Sequence, residues 1–397
     1  MGLLTGLEVL EIGNMIAAPT AGCILADFGA TVTKVEHPTL GDDLRRWPPI
    51  KDGIPLWWKV MNRNKDLITL NLSKPAGQDL LRRAIGRFDV LIENFRPGTM
   101  ERWNLGYDWL SSINPRLIMV RISGYGQTGP YSKRAGYGTV AEAMSSVPSF
   151  TGPRDGPPTL SAFPLVDSLA GMSAVQAALM ALYERDVIGS GKGQEVDVSL
   201  YESIVRLLDS QVVSYDQLGI VKHRQGNRMD EDSPRNAYQT ADGRYVAISA
   251  GSQRTFGRLA AAMGQPSLPD DPRFATNELR CLNSDPLDEL LNEWFRDRTL
   301  AEAMRILQEA DVVAGPVYDM AEIFADPHYA ARQDIIEVED PELGTLRMPA
   351  PLPKFSRTPG EIRKTGGRRG EGNQSFFTGR MGLTAAELKR LGSEGVV

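Results

Sequence analysis

The chain has 397 residues, 42% of them hydrophobic and 24% charged, the proportions of an ordinary globular protein long enough for two domains. Its 44 basic and 50 acidic residues leave a net charge of −6, which argues against nucleic acid as a partner, because binding phosphate backbones needs a basic surface. Two cysteines, Cys23 and Cys281, stand far apart without metal or redox spacing, which points to a reducing compartment.

In chain order, residues 7–12 (LEVLEI) predict a short apolar strand, and 19–28 a helix opening on proline at a permitted position. Cys23 lies within that helix and reads as a buried small hydrophobe. A strand at 31–36 (TVTKVE), a helix at 75–87, a strand at 89–93 (DVLIE), a short helix at 107–113 and a strand at 116–122 (RLIMVRI) follow. Helices between apolar strands imply a parallel sheet, because parallel strands need crossover connections. A long apolar helix is expected from about 168 to 185, then a turn (GSGKGQ), an alternating strand through Val196, Val198 and Leu200, and a helix at 201–215.

The composition turns polar and irregular at 219–233, which reads as a linker. Helices at 254–263, 286–296 and 300–310 then suggest a smaller domain. Beyond Gly315 come a hairpin around DPELG, a Pro-rich crossing (PAPLPKF), a Gly- and Arg-rich stretch at 360–379 and a last helix at 384–391. The expected architecture is α/β: a parallel-sheet, Rossmann-like large domain plus a smaller α+β domain. The boundaries are 1–218 for the first part of the large domain, 219–233 for the linker, 234–325 for the small domain, and 326–397 for the return linker and the rest of the large domain.

The N-terminus, MGLLTGLEVLEIG, has no basic region before a cleavage site, and no apolar run is expected to approach a membrane span. The expectation is a cytoplasmic enzyme with no membrane partner.

Motifs narrow the chemistry. The turn after the first strand reads GNMIAAPTAG, without the glycine spacing that lets backbone approach a pyrophosphate, which argues against NAD or FAD. G-x-S-x-G is absent; the segment GMSAV at 171–175 fails at its last position and lies in a helix. His37, His223 and His328 are isolated, so no metal site is expected. In GPPTLSAFPLVDSLAGM, Asp167 stands at the start of the long helix, where a carboxylate can accept hydrogen bonds from free backbone N–H groups. That placement should keep it ionised at neutral pH, as a carboxylate nucleophile requires, but it equally suits a plain N-cap.

Several stretches taken together resemble the family III CoA-transferases, the group that includes formyl-CoA:oxalate and carnitine-type enzymes. They are APTAGCILADFGATVTKVEHPTLGDDLR, NRNKDLITLNL, ENFRPGTMERWNLGYDWLSSINPRLI, RISGYGQTGPYSKRAGYG, and LVDSLAGM followed by GKGQEVDVSLYES. They fall in the family's order over the first 205 residues; GNR, ADGRYVAIS and GPVYD match more loosely. The resemblance implies that Asp167 attacks an acyl-CoA thioester to form a mixed anhydride, then an aspartyl-CoA thioester, before CoA passes to a second carboxylic acid. No permanently bound cofactor is implied; CoA esters are substrates.

It further implies CoA contacts at Ala17 and Ala18, where small side chains let backbone approach the ligand, and at the basic positions Arg45, Arg96, Arg102 and Lys133, with Arg134 nearby. The family's Glu-Arg dipeptide before Pro38 is Glu36-His37 here, which removes one expected cation from the adenosine phosphate. Tyr137 is placed beside the active site. The segment SAGSQ at 249–253 is shorter than the glycine-rich loop over the formyl-CoA transferase site. The wording SGYGQTGPYSKRAGYGTVAEAM is nearest to a branch acting on dicarboxylic acids as succinyl-, mesaconyl- or citramalyl-type esters. The family forms interlocked homodimers, which would make a second copy of this chain a partner. Two alternatives accompany this reading. One is a 2-methylacyl-CoA racemase of the same fold, whose His-Asp pair is replaced here by Tyr137-Gly138; the other is a non-catalytic CoA-binding protein.

Overall fold

The structure is a computed structural model that describes residues 2–397. The chain divides into two compact units, one of Met1–Val147, Leu160–Ile220 and Arg332–Val397, the other of Pro148–Thr159 and Val221–Ala331.

The first unit is built on six strands: β1 (Glu8–Glu11), β2 (Thr31–Glu36), β3 (Asp66–Thr69), β4 (Val90–Glu93), β5 (Ile118–Ser123) and β6 (Glu195–Ser199). All pair in parallel, in the order β3-β2-β1-β4-β5-β6. That is the doubly wound arrangement, with the order reversing between β1 and β4. Both faces are covered, so strand residues such as Val9, Leu10, Val90, Leu91, Ile92 and Met119 are buried whichever way they point. Strand β3 is the one the pattern does not announce, because DLIT is short and follows the polar run NRNK.

One face carries α1 (Ala17–Asp27) packed on α2 (Leu165–Tyr183). Gly171 permits this contact: a Cβ there would lie 2.7 Å from the Ala17 carbonyl oxygen and 2.7 Å from Thr20 Cβ. Helix α1 begins two residues before the expected proline, which puts Pro19 in the first turn, where its missing N–H has no partner to lose. Helix α2 begins at Leu165, three residues earlier than expected, and runs through a wide turn to Ile188. By length and composition, with a mean hydropathy of 1.5, Leu165–Ile188 would pass for a membrane span, a test that a core helix also passes. Its small residues Ala170, Gly171, Ala174, Ala178 and Ala181 are buried in the unit.

The expected helix at 201–215 is two helices, Leu200–Val205 and Asp209–Leu218, the second with no buried residue. The hairpin around DPELG forms, with Ile335–Asp340 antiparallel to Gly344–Pro349. The opposite face of the sheet packs on Pro75–Ala84 and on the C-terminal residues Phe376, Phe377, Leu383 and Leu391.

The second unit is α+β. A three-stranded antiparallel sheet (Arg235–Gln239, Tyr245–Ser249 and Ala314–Pro316) packs with helices Gln253–Ala262, Ser284–Arg296 and Leu300–Glu309. Its core includes Tyr238 stacked on Phe295 with ring centroids 5.2 Å apart, and buried Phe256 and Phe274.

Candidate active site

Open doubly wound sheets form a crevice beyond the carboxyl ends of the strands where the order reverses. Here the reversal is bridged by two asparagines. The Asn14 N–H, after β1, donates to Asn94 Oδ1 at 2.9 Å, and Asn94 Nδ2, after β4, donates to the Asn14 carbonyl at 2.8 Å. Gly13 must be glycine, since a Cβ would stand 2.3 Å from Ala18 Cβ and 2.7 Å from Asn94 Oδ1. Ala17 and Ala18 are buried in the first turn of α1, and the preceding Met15 takes a left-handed φ of 67°.

A buried ionic network fixes this turn. Lys34 Nζ lies 2.8 Å from Glu11 Oε1, 2.8 Å from Asp42 Oδ2 and 2.8 Å from the Gly13 carbonyl oxygen, and Lys65 Nζ lies 2.7 Å from Glu11 Oε2. Asp42 Oδ1 accepts from the Met15 N–H at 3.0 Å and the Leu44 N–H at 2.9 Å. Burial alone would raise both carboxylates, yet the lysines hold Glu11 and Asp42 below their usual range. Residues of NRNKDLITLNL thus have structural work: Arg63 grips Asp27 at 2.6 Å, Asn64 donates to the same carboxylate at 2.9 Å, and Lys65 also binds the Pro19 carbonyl at 2.9 Å.

Beyond these strand ends lies a cavity of about 260 Å³, lined among others by Asn14, His37, Leu40, Asn71, Phe95 and Trp103. Phe95 and Trp103 meet edge to face at 5.0 Å, and the Phe95 N–H is fixed by Glu93 Oε2 at 2.6 Å. His37 Nδ1 accepts from the Thr39 and Leu40 N–H groups, both at 3.2 Å, which leaves the ring proton on Nε2. Burial and the nearby Arg369 and Lys74 lower its pKa, so it is neutral at pH 7. Arg45 is occupied: Nε lies 2.6 Å and Nη2 2.7 Å from the Glu36 carboxylate, the guanidinium covers the Trp58 ring at 3.6 Å, and its side chain is only 18% exposed. Arg96 and Arg102 are exposed around the ENFRPG turn, with Arg102 Nη2 donating to Thr99 Oγ1 at 2.9 Å. Lys133 is exposed in the loop that leads to Tyr137.

Asp167 is the third residue of α2, not its cap; that position is Pro164, with no side-chain capping bond. The carboxylate is partly buried, and no cation or side-chain donor pairs with it among the described residues. Its neighbour is bare backbone: a Cβ on Gly138 would lie 2.0 Å from Asp167 Oδ2. Burial pushes its pKa up to about 6, against the expectation that the helix start would hold it low; its own backbone N–H offsets only part of the rise. At pH 7 it is still mostly ionised. Tyr137 caps the helix Gly138–Met144 through its carbonyl and exposes 75% of its side chain.

The structure therefore gathers Ala17, Ala18 and His37 at the strand ends, puts Asp167 against the residue after Tyr137, and leaves Arg96, Arg102 and Lys133 on the surface. No local pattern in the chain signals that Arg369, Lys74 or Trp103 lies near His37. Gly138 was noticeable only as the residue replacing a racemase aspartate.

Such a sheet, with a cavity at its switch point and an unpaired carboxylate in the same unit, is the arrangement in which doubly wound α/β proteins seat a ligand. The profile of CoA-transferase family III matches residues 4–372. The chain is 43% identical over 395 residues to the succinyl-CoA–D-citramalate CoA-transferase of Chloroflexus aurantiacus, covering 99% of this chain and 98% of that protein. It is 39% identical to the succinyl-CoA–L-malate CoA-transferase beta subunit of the same organism, covering 99% and 98%. A CAIB/BAIF family protein from Brucella suis superposes with a TM-score of 0.83 at 33% identity, over 98% of this chain and 99% of that one. The chain belongs to CoA-transferase family III, and it is a CoA-transferase.

Proposed function

We propose that the protein moves CoA from a succinyl-type thioester to a second dicarboxylic acid, with Asp167 as the nucleophile. An Asp167 oxygen attacks the thioester carbonyl, the C–S bond breaks, and the CoA thiolate leaves with the electron pair, which gives a mixed anhydride. The thiolate then attacks the Asp167 carbonyl carbon and expels the donor carboxylate, leaving an aspartyl-CoA thioester. The acceptor carboxylate attacks that carbon in turn and expels the CoA thiolate, which then attacks the acceptor carbonyl of the second anhydride and expels the Asp167 carboxylate. Asp167 is restored, and no net proton is consumed.

The observation that carries this reading is the unpaired, partly buried Asp167 carboxylate beside Gly138. A capping or structural aspartate would hold a donor or a cation. The choice of succinyl and dicarboxylate substrates rests on the relatives' names. Racemisation needs an acid and a base flanking the α-carbon, and Gly138 offers neither. Incubating the enzyme with succinyl-CoA alone, then with hydroxylamine, should leave a hydroxamate on Asp167, located by peptide mass spectrometry. Unmodified Asp167 together with normal transfer would reject the mechanism. A panel of dicarboxylic acids read by the CoA esters formed identifies the acceptor.

The protein also works as a homodimer in this reading. Met172, Met180 and Tyr183 of α2, and Val212, Val213, Tyr215 and Leu218 of the helix Asp209–Leu218, are exposed apolar side chains of the kind a second copy would cover. Light scattering at micromolar concentration should give twice the chain mass; a monomer would exclude the dimer.

A further inference from the structure

The carboxyl end of β2 is where a doubly wound fold handles the ribose. An acidic residue there receives free hydroxyls, whereas a nearby arginine receives a phosphorylated ribose. Glu36 ends β2, but its carboxylate is spent on Arg45 and on the Asp42 N–H at 3.0 Å. The next residue, His37, carries no charge at neutral pH. Two cations stand beside it instead. Arg369 donates one N–H to the Thr39 carbonyl at 2.6 Å, from 330 residues away in sequence, and Lys74 reaches the Glu394 carbonyl. Neither pairs with a carboxylate among the described residues, whereas the cavity-lining Arg46 is paired with Asp43.

Arg369 is held in place by its neighbours. The Gly372 N–H donates to the Leu67 carbonyl at 2.8 Å, Asn373 accepts from the Thr69 N–H at 2.8 Å, and Trp58 Nε1 donates to the Gly367 carbonyl at 2.9 Å. The segment is thus laced to the edge strand β3, which brings the guanidinium to the end of β2. Two cations near His37, which lines the cavity together with Phe95, Trp103, Leu40 and Leu72, suit a purine nucleotide with a monophosphate on its ribose.

We propose that Arg369, with Lys74 beside it, binds the ribose monophosphate of the CoA nucleotide and supplies from the C-terminal segment the charge that residue 37 lacks. The inference rests on the CoA-transferase reading above. Two thioesters test it, succinyl-CoA and succinyl-3′-dephospho-CoA. Arg369→Ala should raise KM for the first by roughly 10- to 100-fold, the loss expected for a charge-assisted hydrogen bond, and leave KM for the second and both kcat values within about twofold. Lys74→Ala should act in the same direction, and Arg369→Lys should recover part of the loss. Equal KM increases for both thioesters, or no change for either, would overturn the assignment. Calorimetry with free CoA and 3′-dephospho-CoA makes the same comparison without turnover. A phosphate preference that disappears in Arg369→Ala, in an enzyme that transfers nothing, would sink the activity and keep this site.

Discussion

Two acidic regions of the first unit face opposite demands. At the ends of β1 and β2, Glu11 and Asp42 are fully buried, and each has a lysine within 2.8 Å. In the first turn of α2, Asp167 is less buried and has no side-chain partner among the described residues. The more deeply buried acids are the ones held below their usual range, and the shallower one is pushed up to about 6. At these two places it is the countercharge, and not the depth of burial, that separates the lowered carboxylates from the raised one. Paired acids fix the backbone near the cavity, and the unpaired one is free to form a bond.

The sharpest way to break that contrast is Asp167→Asn. It keeps size and polarity but removes the nucleophile, so transfer should fall by about 10⁴-fold or more while unfolding stays cooperative. Near-normal activity would make Asp167 a structural residue like Asp42.

Lys34→Met tests the other side. It leaves Glu11 and Asp42 with one countercharge fewer in a dry interior, and a broken buried pair costs about 3–5 kcal/mol. Denaturant midpoints should fall accordingly; a loss under about 1 kcal/mol would mean that the network is not what holds the turn.

Gly138→Ala sharpens the comparison at the reactive end. Its Cβ would overlap Asp167 Oδ2 and rotate the carboxylate out of line, which should lower kcat by about 100-fold and leave CoA affinity near normal. A parallel rise in KM would show that Gly138 shapes the CoA site instead.

The smallest effects are in pH. Asp167 must be ionised to attack, so transfer should fall tenfold per unit below a limb near pH 6. Buried Glu93 is also pushed up, to about 7, so Glu93→Gln should keep the limb if Asp167 is its source. Stability runs the other way. A raised carboxyl pKa means that the folded state resists ionisation, so wild type loses stability relative to Asp167→Asn as pH rises from about 4 to 6. The gap should level off above that at on the order of 2–3 kcal/mol. A gap that shrinks with rising pH would mean that the carboxylate has a countercharge after all.

Much of the fold can be read from the chain because its signals are local. Five of the six main strands show as apolar or alternating runs between helical segments, and the exception, Asp66–Thr69, is hidden by the polar run NRNK directly before it. The strands of the second unit are equally quiet, since RNAYQ and YVAIS interrupt a region dominated by helical periodicity. Asp167 is visible as a carboxylate at a helix start, but its position inside the first turn depends on how Pro164 enters the helix.

By itself, then, the sequence determined which residue types were available: a parallel sheet, a helix opening with an acid, a turn without the dinucleotide glycines, and the family these stretches resemble. Tertiary structure alone decided what each charge does. Arg45, a basic residue at an expected phosphate position, is consumed by Glu36, and Arg369 reaches His37 across 330 residues of chain beyond Thr39. Periodicity and capping act over a few residues and leave a trace in the sequence. Pairing between distant charges, and the lack of a partner that sets Asp167 apart, exist only once the chain has brought those groups together or kept them apart.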